Sequence, residues 1–442
     1  MSFSRWRTAI LMALGAMLLL LTGGGLLLQH EQGCSGFILV ALAQGAVYLL
    51  AVGVTWRGGF SRRALVAMLG LAVVMRLGVL FAPPYLSDDI NRYVWDGRVE
   101  AAGINPYRYI PVDPHLAALR DDKVFPNINR STYAPTIYPP VAEYIFLIAT
   151  RVSESLTWMK ATMLGFELVT LLLLLRLLIL FALPRERILI YAWHPLLLWE
   201  FAGSGHIDAA VLSFVTLALW ARRRKADWLT GVAVAAAGLI KFFPVVIFPA
   251  LYRRWDWKMP AAAAAAILVA YLPVLGAGRA VFGFLPGYAK EEGLLKGSGF
   301  FLWNVMRSVA PPIGDTGAVP YLLFAAAAIA ALAVYVLSRD KSGDQYIGSA
   351  AALAVAATIL LSPHYPWYFA WLVPFLCFAP YPSVLYLTVA SPLLYLVPGG
   401  PDPEGHRIIV DWAIYGPYAA LAVLELWLRR RRGAARFVAV EA

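Results

Sequence analysis

Two adjacent carboxylates, Asp88 and Asp89, follow an apolar run, Ala64–Ala82, that is long enough to span a bilayer. Acidic side chains are expensive near lipid, so a pair there marks chemistry or ion passage. A carboxylate can act as general base toward a hydroxyl. It can instead bind a metal, or pair with Arg92 three or four residues later. The plainer use is a helix start, with Ser87 as N-cap and the acids in the first turn. The neighbours argue for more. Arg92, Tyr93, Trp95 and Arg98 follow, then Gly103-Ile104-Asn105-Pro106-Tyr107. Aromatic rings suit the face of a sugar, and guanidinium groups suit phosphate oxygens.

Three further groups sit in or beside apolar runs. In Gly203-Ser204-Gly205-His206-Ile207-Asp208, a His and an Asp flank a helix break at membrane depth, where polar groups are costly without a role. Helix geometry turns positions two apart to different sides, so His206 and Asp208 are expected not to meet one ligand. Lys241, in Leu239-Ile240-Lys241-Phe242-Phe243-Pro244, lies too deep to snorkel easily. It is expected to bind an anion or to pair with a buried acid such as Glu200 or Glu167. In Ser362-Pro363-His364-Tyr365-Pro366-Trp367-Tyr368, two prolines break the chain and leave His364 with three aromatics, either an aromatic belt or a ligand loop. Tyr138-Pro139-Pro140 reads as a structural turn, and Asn129-Arg130-Ser131 fits a glycosylation sequon of a kind frequent by chance. No nucleotide loop, zinc pattern or Ser-His-Asp arrangement stands out, so any sugar donor should be lipid-linked.

These groups need helices in a membrane to hold them. Of the 442 residues, 61% are hydrophobic and 14% charged, and mean hydropathy is +0.68. Soluble domains run nearer 45–50% apolar and about 25% charged. The fold class is therefore an all-α polytopic membrane protein, with about 11–13 transmembrane or re-entrant helices. The net charge of +11 punctuates the spans: Arg5 and Arg7; Arg57, Arg62 and Arg63; Arg222 to Lys225; Arg253, Arg254 and Lys258; Arg429 to Arg432. These are cytoplasmic anchors under the positive-inside rule, and they do not form one face for nucleic acid. Both termini are then cytoplasmic, and the long stretches Pro83–Tyr138 and Gly276–Val319 lie outside. Ala9–Leu28 reads as a retained signal-anchor helix, and Ile188–Ala202 with His206–Trp220 as a hairpin whose tip faces outward. Trp228–Leu251 carries positive charge at both ends and is expected to be re-entrant or kinked at Pro244. Three modules follow: 1–63, a pair of helices; 64–275, including the outer loop 83–138; and 276–442, including the outer loop 276–319. Cys34 and Cys377 suggest neither a disulfide framework nor a metal site.

The segments Leu86–Gly97, Gly103–Tyr107, Tyr138–Pro140, Gly205–Ala209 and Ser362–Tyr368 occur in the order found in GT-C glycosyltransferases. Over residues 70–380 the chain resembles bacterial polyprenyl-phosphate-mannose-dependent α-mannosyltransferases. The first two spans read as an addition to that pattern, and Asn91 replaces a tyrosine often found there. The resemblance implies GT-C architecture in a bacterial inner membrane, with the active site on the periplasmic or exterior face. It implies inverting transfer of a hexose, mannose above all, from a polyprenyl-phosphate donor to a glycan, lipid or protein acceptor. The catalytic base maps onto Asp89 or Asp88, with Asp89 favoured because related motifs often keep only the second acid. Arg92, Arg98, His206, Lys241 and His364 become candidates for the donor phosphate. Tyr93, Trp95, Asn105, Tyr107, Tyr138, Asp208, Tyr365, Trp367 and Tyr368 become candidates for substrate contact. No cofactor is expected, although the double Asp leaves a divalent metal open. The rival readings are a secondary transporter using Asp88, Asp89, Lys241 and His206 as coupling groups, or a non-catalytic polyprenyl-lipid-binding protein.

Overall fold

The computed structural model describes residues 3–29, 34–56, 58–294, 296–297, 299–310, 317–339, 345–397 and 403–438; Arg57, one of the basic anchors, lies outside them. The protein is an all-α polytopic membrane protein, with no strand among the described residues. Its principal helices begin with α1 (Phe3–Leu28), α2 (Ser35–Thr55), α3 (Arg62–Leu80), α4 (Asp89–Ala101), α5 (Pro140–Val152) and α6 (Leu156–Leu180). Next come α7 (Asp208–Arg223), α8 (Asp227–Gly238), α9 (Lys258–Tyr271), α10 (Leu285–Glu291) and α11 (Phe301–Val309). The chain closes with α12 (Val319–Ser338), α13 (Gln345–Leu361), α14 (Pro382–Ala390) and α15 (Pro403–Val438). Cys34 and Cys377 are both free.

Seven stretches among the described residues are long and apolar enough to cross a membrane: those of α1, α2, α3 and α6, Lys258–Glu291, α12, and Arg407–Arg431. The other apolar runs are shorter pieces. With 16 residues, α7 rises about 24 Å, less than the roughly 30 Å of a hydrocarbon core. Protein covers these pieces where lipid would not serve. Residues 188–213 are buried without interruption, as expected of a segment apolar on every side. Their irregular backbone, a π-helical turn at Leu198–Gly203 and the break after it, is tolerated because it lies inside the protein. Helix α7 packs between α6 and α8, and α8 in turn against α9.

The first two helices are built into this centre. The Tyr48 hydroxyl of α2 donates to the Ile190 carbonyl at 2.7 Å, and the Trp199 indole donates to Gln44 at 2.7 Å. Deeper in the bundle, Arg76 of α3 pairs with Glu167 of α6 at 2.5 Å and donates to the Ala192 carbonyl at 2.7 Å. Glu167 thus pairs with Arg76, not with Lys241.

The run Trp228–Leu251 does break. The break opens after Gly238, before Pro244, and a 3₁₀ turn resumes at Phe243–Ile247. Proline disfavours helix at the residue before it and donates no N–H, so helix cannot run through. Lys241 sits in that gap.

Two long loops close over one end. The first carries α4, which is buried at every position from Ile90 to Val99 and packs on α5. The second enters through α10 and is tied to the first by the Phe284 amide, which donates to the Thr136 carbonyl at 2.9 Å.

Candidate active site

The acid pair is fixed by local chain chemistry. Helix α3 ends at Leu80, and the ammonium of buried Lys160 caps it, donating to the carbonyls of Val79 at 3.1 Å and Ala82 at 2.6 Å. From there the chain turns within a few residues into α4, with Asp88 as the residue before the helix and Asp89 as its first. The Ser87 hydroxyl accepts from the Asp89 amide at 3.2 Å, and the Asn91 side-chain amide donates to the Asp88 carbonyl at 3.1 Å. One side-chain amide spans both acids: Asn129 donates to Asp88 Oδ1 at 3.0 Å and to Asp89 Oδ1 at 2.7 Å. The oxygens that would begin to chelate a cation thus both accept from Asn129. Among the described residues, no group of three or more His, Cys, Asp or Glu is arranged for a metal.

The second oxygen of Asp89 faces the hairpin tip. His206 Nδ1 lies 4.0 Å from Asp89 Oδ2, and His206 Nε2 lies 3.3 Å from Glu200. Glu200 in turn accepts from the Tyr395 hydroxyl at 2.9 Å. The imidazole stacks on Trp367 with centroids 4.0 Å apart, and Trp367 stacks on Tyr365 at 4.5 Å. Gly205 permits this approach. Its φ is +75°, and a Cβ there would lie 2.7 Å from Ile90 of α4. Lys241 completes the wall, donating to Asp208 at 2.6 Å with its ammonium 4.6 Å from the Tyr368 ring centroid.

Part of this cluster faces a cavity of about 1200 Å³, while His206, Glu200 and Asp208 lie behind its lining. Asp88, Asp89, Lys241, His364 and the Tyr138, Tyr365, Trp367 and Tyr368 rings line it, and so do Asn129 and Arg130. Its remaining walls include Phe242, Phe243, Leu285 and Leu361. The second loop supplies a rim: His364 pairs with Glu292 at 2.7 Å, and Arg130 with Glu291 at 2.7 Å. Arg130 adopts a left-handed backbone, φ +54°, a strain that clusters at functional loops. Burial raises the Asp89 carboxyl above its ordinary range, and Asp88 adds to the rise; Lys241, Asn129 and Arg130 oppose it. A carboxylate with a raised pKa is a stronger base.

Residues 6–256 match a protein family described as alpha-(1->6)-mannopyranosyltransferase, N-terminal domain. The chain belongs to this family. It is accordingly an α-mannosyltransferase, which takes mannose from a sugar donor to a glycan acceptor. No curated protein and no solved structure matches the chain. The matched region starts ahead of α2 and includes most of α1, so the first two spans belong to the family's domain. They are not an addition to it, in keeping with their contacts to Ile190 and Trp199. The His364–Tyr368 segment lies beyond the matched region.

Several residues of this mannosyltransferase sit away from the cavity that their types suggested. Arg92 donates to its i+4 neighbour Asp96 at 2.9 Å and to the Ala134 carbonyl at 3.1 Å; it pairs with neither Asp88 nor Asp89. Arg98 is held by Asp121 at 2.6 Å and Glu154 at 2.9 Å. Tyr93 stacks on Phe146 at 4.5 Å, and Trp95 packs near Phe125; both are buried. Asn105 donates to the Val274 carbonyl at 3.1 Å, and the Tyr107 hydroxyl to the Tyr138 carbonyl at 2.7 Å. For Arg92, Tyr93, Trp95 and Arg98 the reason is that α4 is buried from Ile90 to Val99, so its rings and guanidiniums serve the interior. His206 and Asp208 do converge, through Asp89 and Lys241 respectively. Helix α7 begins only at Asp208, so helical spacing does not govern His206.

Asn129, Arg130, Glu200, Tyr395 and Tyr288, which also lines the cavity, were not singled out as site residues from sequence. Asn129 carried a signal, its sequon, but one pointing to other chemistry.

Proposed function

We propose that this mannosyltransferase uses a polyprenyl-phosphate-linked mannose donor and works by single displacement on the outer face of a bacterial inner membrane, within a GT-C architecture. Asp89 removes the proton from an acceptor hydroxyl. The hydroxyl oxygen attacks the anomeric carbon as the bond to phosphate breaks, and the electron pair leaves with the phosphate. One displacement inverts the anomeric centre, so an α product calls for a β-linked donor. The observation that carries this reading is the shared cavity: a half-buried carboxylate, its pKa raised by desolvation, in one cavity with the cationic Lys241 and Arg130. Lys241 has three N–H donors and gives one to Asp208, which leaves the others for phosphate oxygens. Aromatic rings (Tyr365, Trp367 and Tyr368) offer faces to the sugar, and Phe242, Phe243 and Leu285 offer an apolar path for the polyprenyl chain. His206 lies 4.0 Å from Asp89 without hydrogen-bonding to it, and does not itself line the cavity.

The test uses purified protein in nanodiscs, radiolabelled polyprenyl-phosphate mannose and a membrane extract as acceptor. Wild type should transfer label to a new product. Asp89→Asn should lower the rate by about 10²–10⁴, the usual contribution of a general base, while still binding donor. Retained transfer in Asp89→Asn, or ion-dependent uptake by proteoliposomes without transfer, would overturn the reading.

A further inference from the structure

A second cavity, of about 710 Å³, adjoins the first. Its volume falls in the roughly 300–1,000 Å³ range of small-molecule sites. Leu86, Ser87 and Asp88 line both cavities, so the two meet along the strip of chain that carries the acid pair. The other walls include Asn91 of α4, Lys123 and Asn127, and the first residue of α6, Leu156, with Pro84, Tyr85, Pro126 and Ile128 between them. This is not a random stretch of loop. Arg98 donates to the Leu119 carbonyl at 2.9 Å and to Asp121 at 2.6 Å, and Asp121 accepts from the Val124 amide at 2.7 Å. The segment bearing Lys123 and Asn127 is thereby fastened to the buried helix that begins with Asp89.

The chemistry of the two walls differs. The large cavity gathers the cations Lys241, Arg130 and Arg407, which suit an anionic phosphate, beside His364. The small one presents two hydroxyls (Tyr85 and Ser87), two side-chain amides and a carboxylate, with Lys123 as its one cation among the lining residues. Hydroxyls and amides that both donate and accept suit an uncharged polyol, and they give no strong preference to an anion. We propose that the small cavity is the acceptor subsite. It takes the hydroxyl-rich, uncharged end of a glycan and delivers one hydroxyl to the acid pair, while the donor occupies the large cavity. Asp88 then serves as a sugar-binding group and Asp89 as the base. The inference rests on the transfer reading above.

The family's product is an α-(1→6)-linked mannoside, so α-(1→6)-mannotriose is a probe that the subsite must accommodate. Its binding to the full chain in nanodiscs is read by saturation-transfer NMR, and donor binding is titrated separately. Asn127 is exposed, so Asn127→Trp can fill the cavity without disturbing the core. Asn127→Trp should weaken mannotriose binding and raise the acceptor KM at least tenfold. Donor affinity should stay within twofold, and Asn127→Ala, which removes one amide without filling the cavity, should weaken mannotriose binding less than Asn127→Trp does. Unchanged mannotriose binding in Asn127→Trp, or donor affinity lost in parallel, overturns the assignment. Trisaccharide binding abolished by Asn127→Trp in a protein that transfers no mannose would support the sugar site and remove the transfer reading instead.

Discussion

At the residue scale, the acid pair should reveal itself through pH. Asp89 must be ionised to accept a proton, and burial raises its pKa, so activity should fall as pH drops through a value above the ordinary carboxylate range. The neighbours set the sign of each shift. Asp88 disfavours a second negative charge, so Asp88→Asn should move the acid limb of kcat/KM to lower pH. Asn129 donates to the charged form, so Asn129→Ala should move the limb to higher pH. The pH profile of single-turnover transfer checks both, and a limb unmoved in either variant would separate Asp89 from the rate. Asp88 and Asp89 were legible in sequence because two acids in a row beside a span are conspicuous. Asn129 was not, since its contact with Asp89 closes over 40 residues of loop and no local pattern records it. The same holds for Glu200 and Tyr395, which meet 195 residues apart.

At the scale of elements, α4 was legible as a helix but not as a buried one. Its arginines and aromatics read as ligand groups on a wet surface. In the fold, α5 and the loop cover them, and Arg92, Tyr93, Trp95 and Arg98 hold the helix in place. The packing leaves no room at Gly97, where a Cβ would lie 2.5 Å from the Phe146 carbonyl oxygen and 2.6 Å from the Thr150 hydroxyl. Gly97→Val should therefore push α4 off α5 and destabilise the protein by about 1–3 kcal/mol, the usual range for overpacking. Thermal unfolding in detergent measures this, and a matching loss of transfer follows if Asp89 moves with the helix. A Gly97→Val variant as stable and active as wild type would mean that the two helices can part freely.

For the whole molecule, the apolar runs and basic clusters disclosed a polytopic all-α protein without ambiguity. What they did not disclose was which runs face lipid. Hydropathy is equally high for a helix in lipid and for one wrapped in other helices, so the buried 188–213 region reads like another crossing. Charge placement sets the expected sidedness. With Cys34 and Cys377 replaced by Ala, Asn127→Cys should react with a membrane-impermeant thiol reagent from the periplasmic side, and Arg224→Cys only after permeabilisation; the reverse pattern would invert the topology. The ion pair between Arg76 and Glu167 bears on the order of events during synthesis. Its partners are 91 residues apart. A lone charge in a helix leaving the insertion machinery carries a penalty of about 2.5–3.5 kcal/mol. Helix α3 emerges with Arg76 unmatched and stays so until α6 arrives with its carboxylate. The ribosome must therefore deliver the whole first long loop before the early helices can settle, and the nascent chain passes through an interval in which quality control can still claim it.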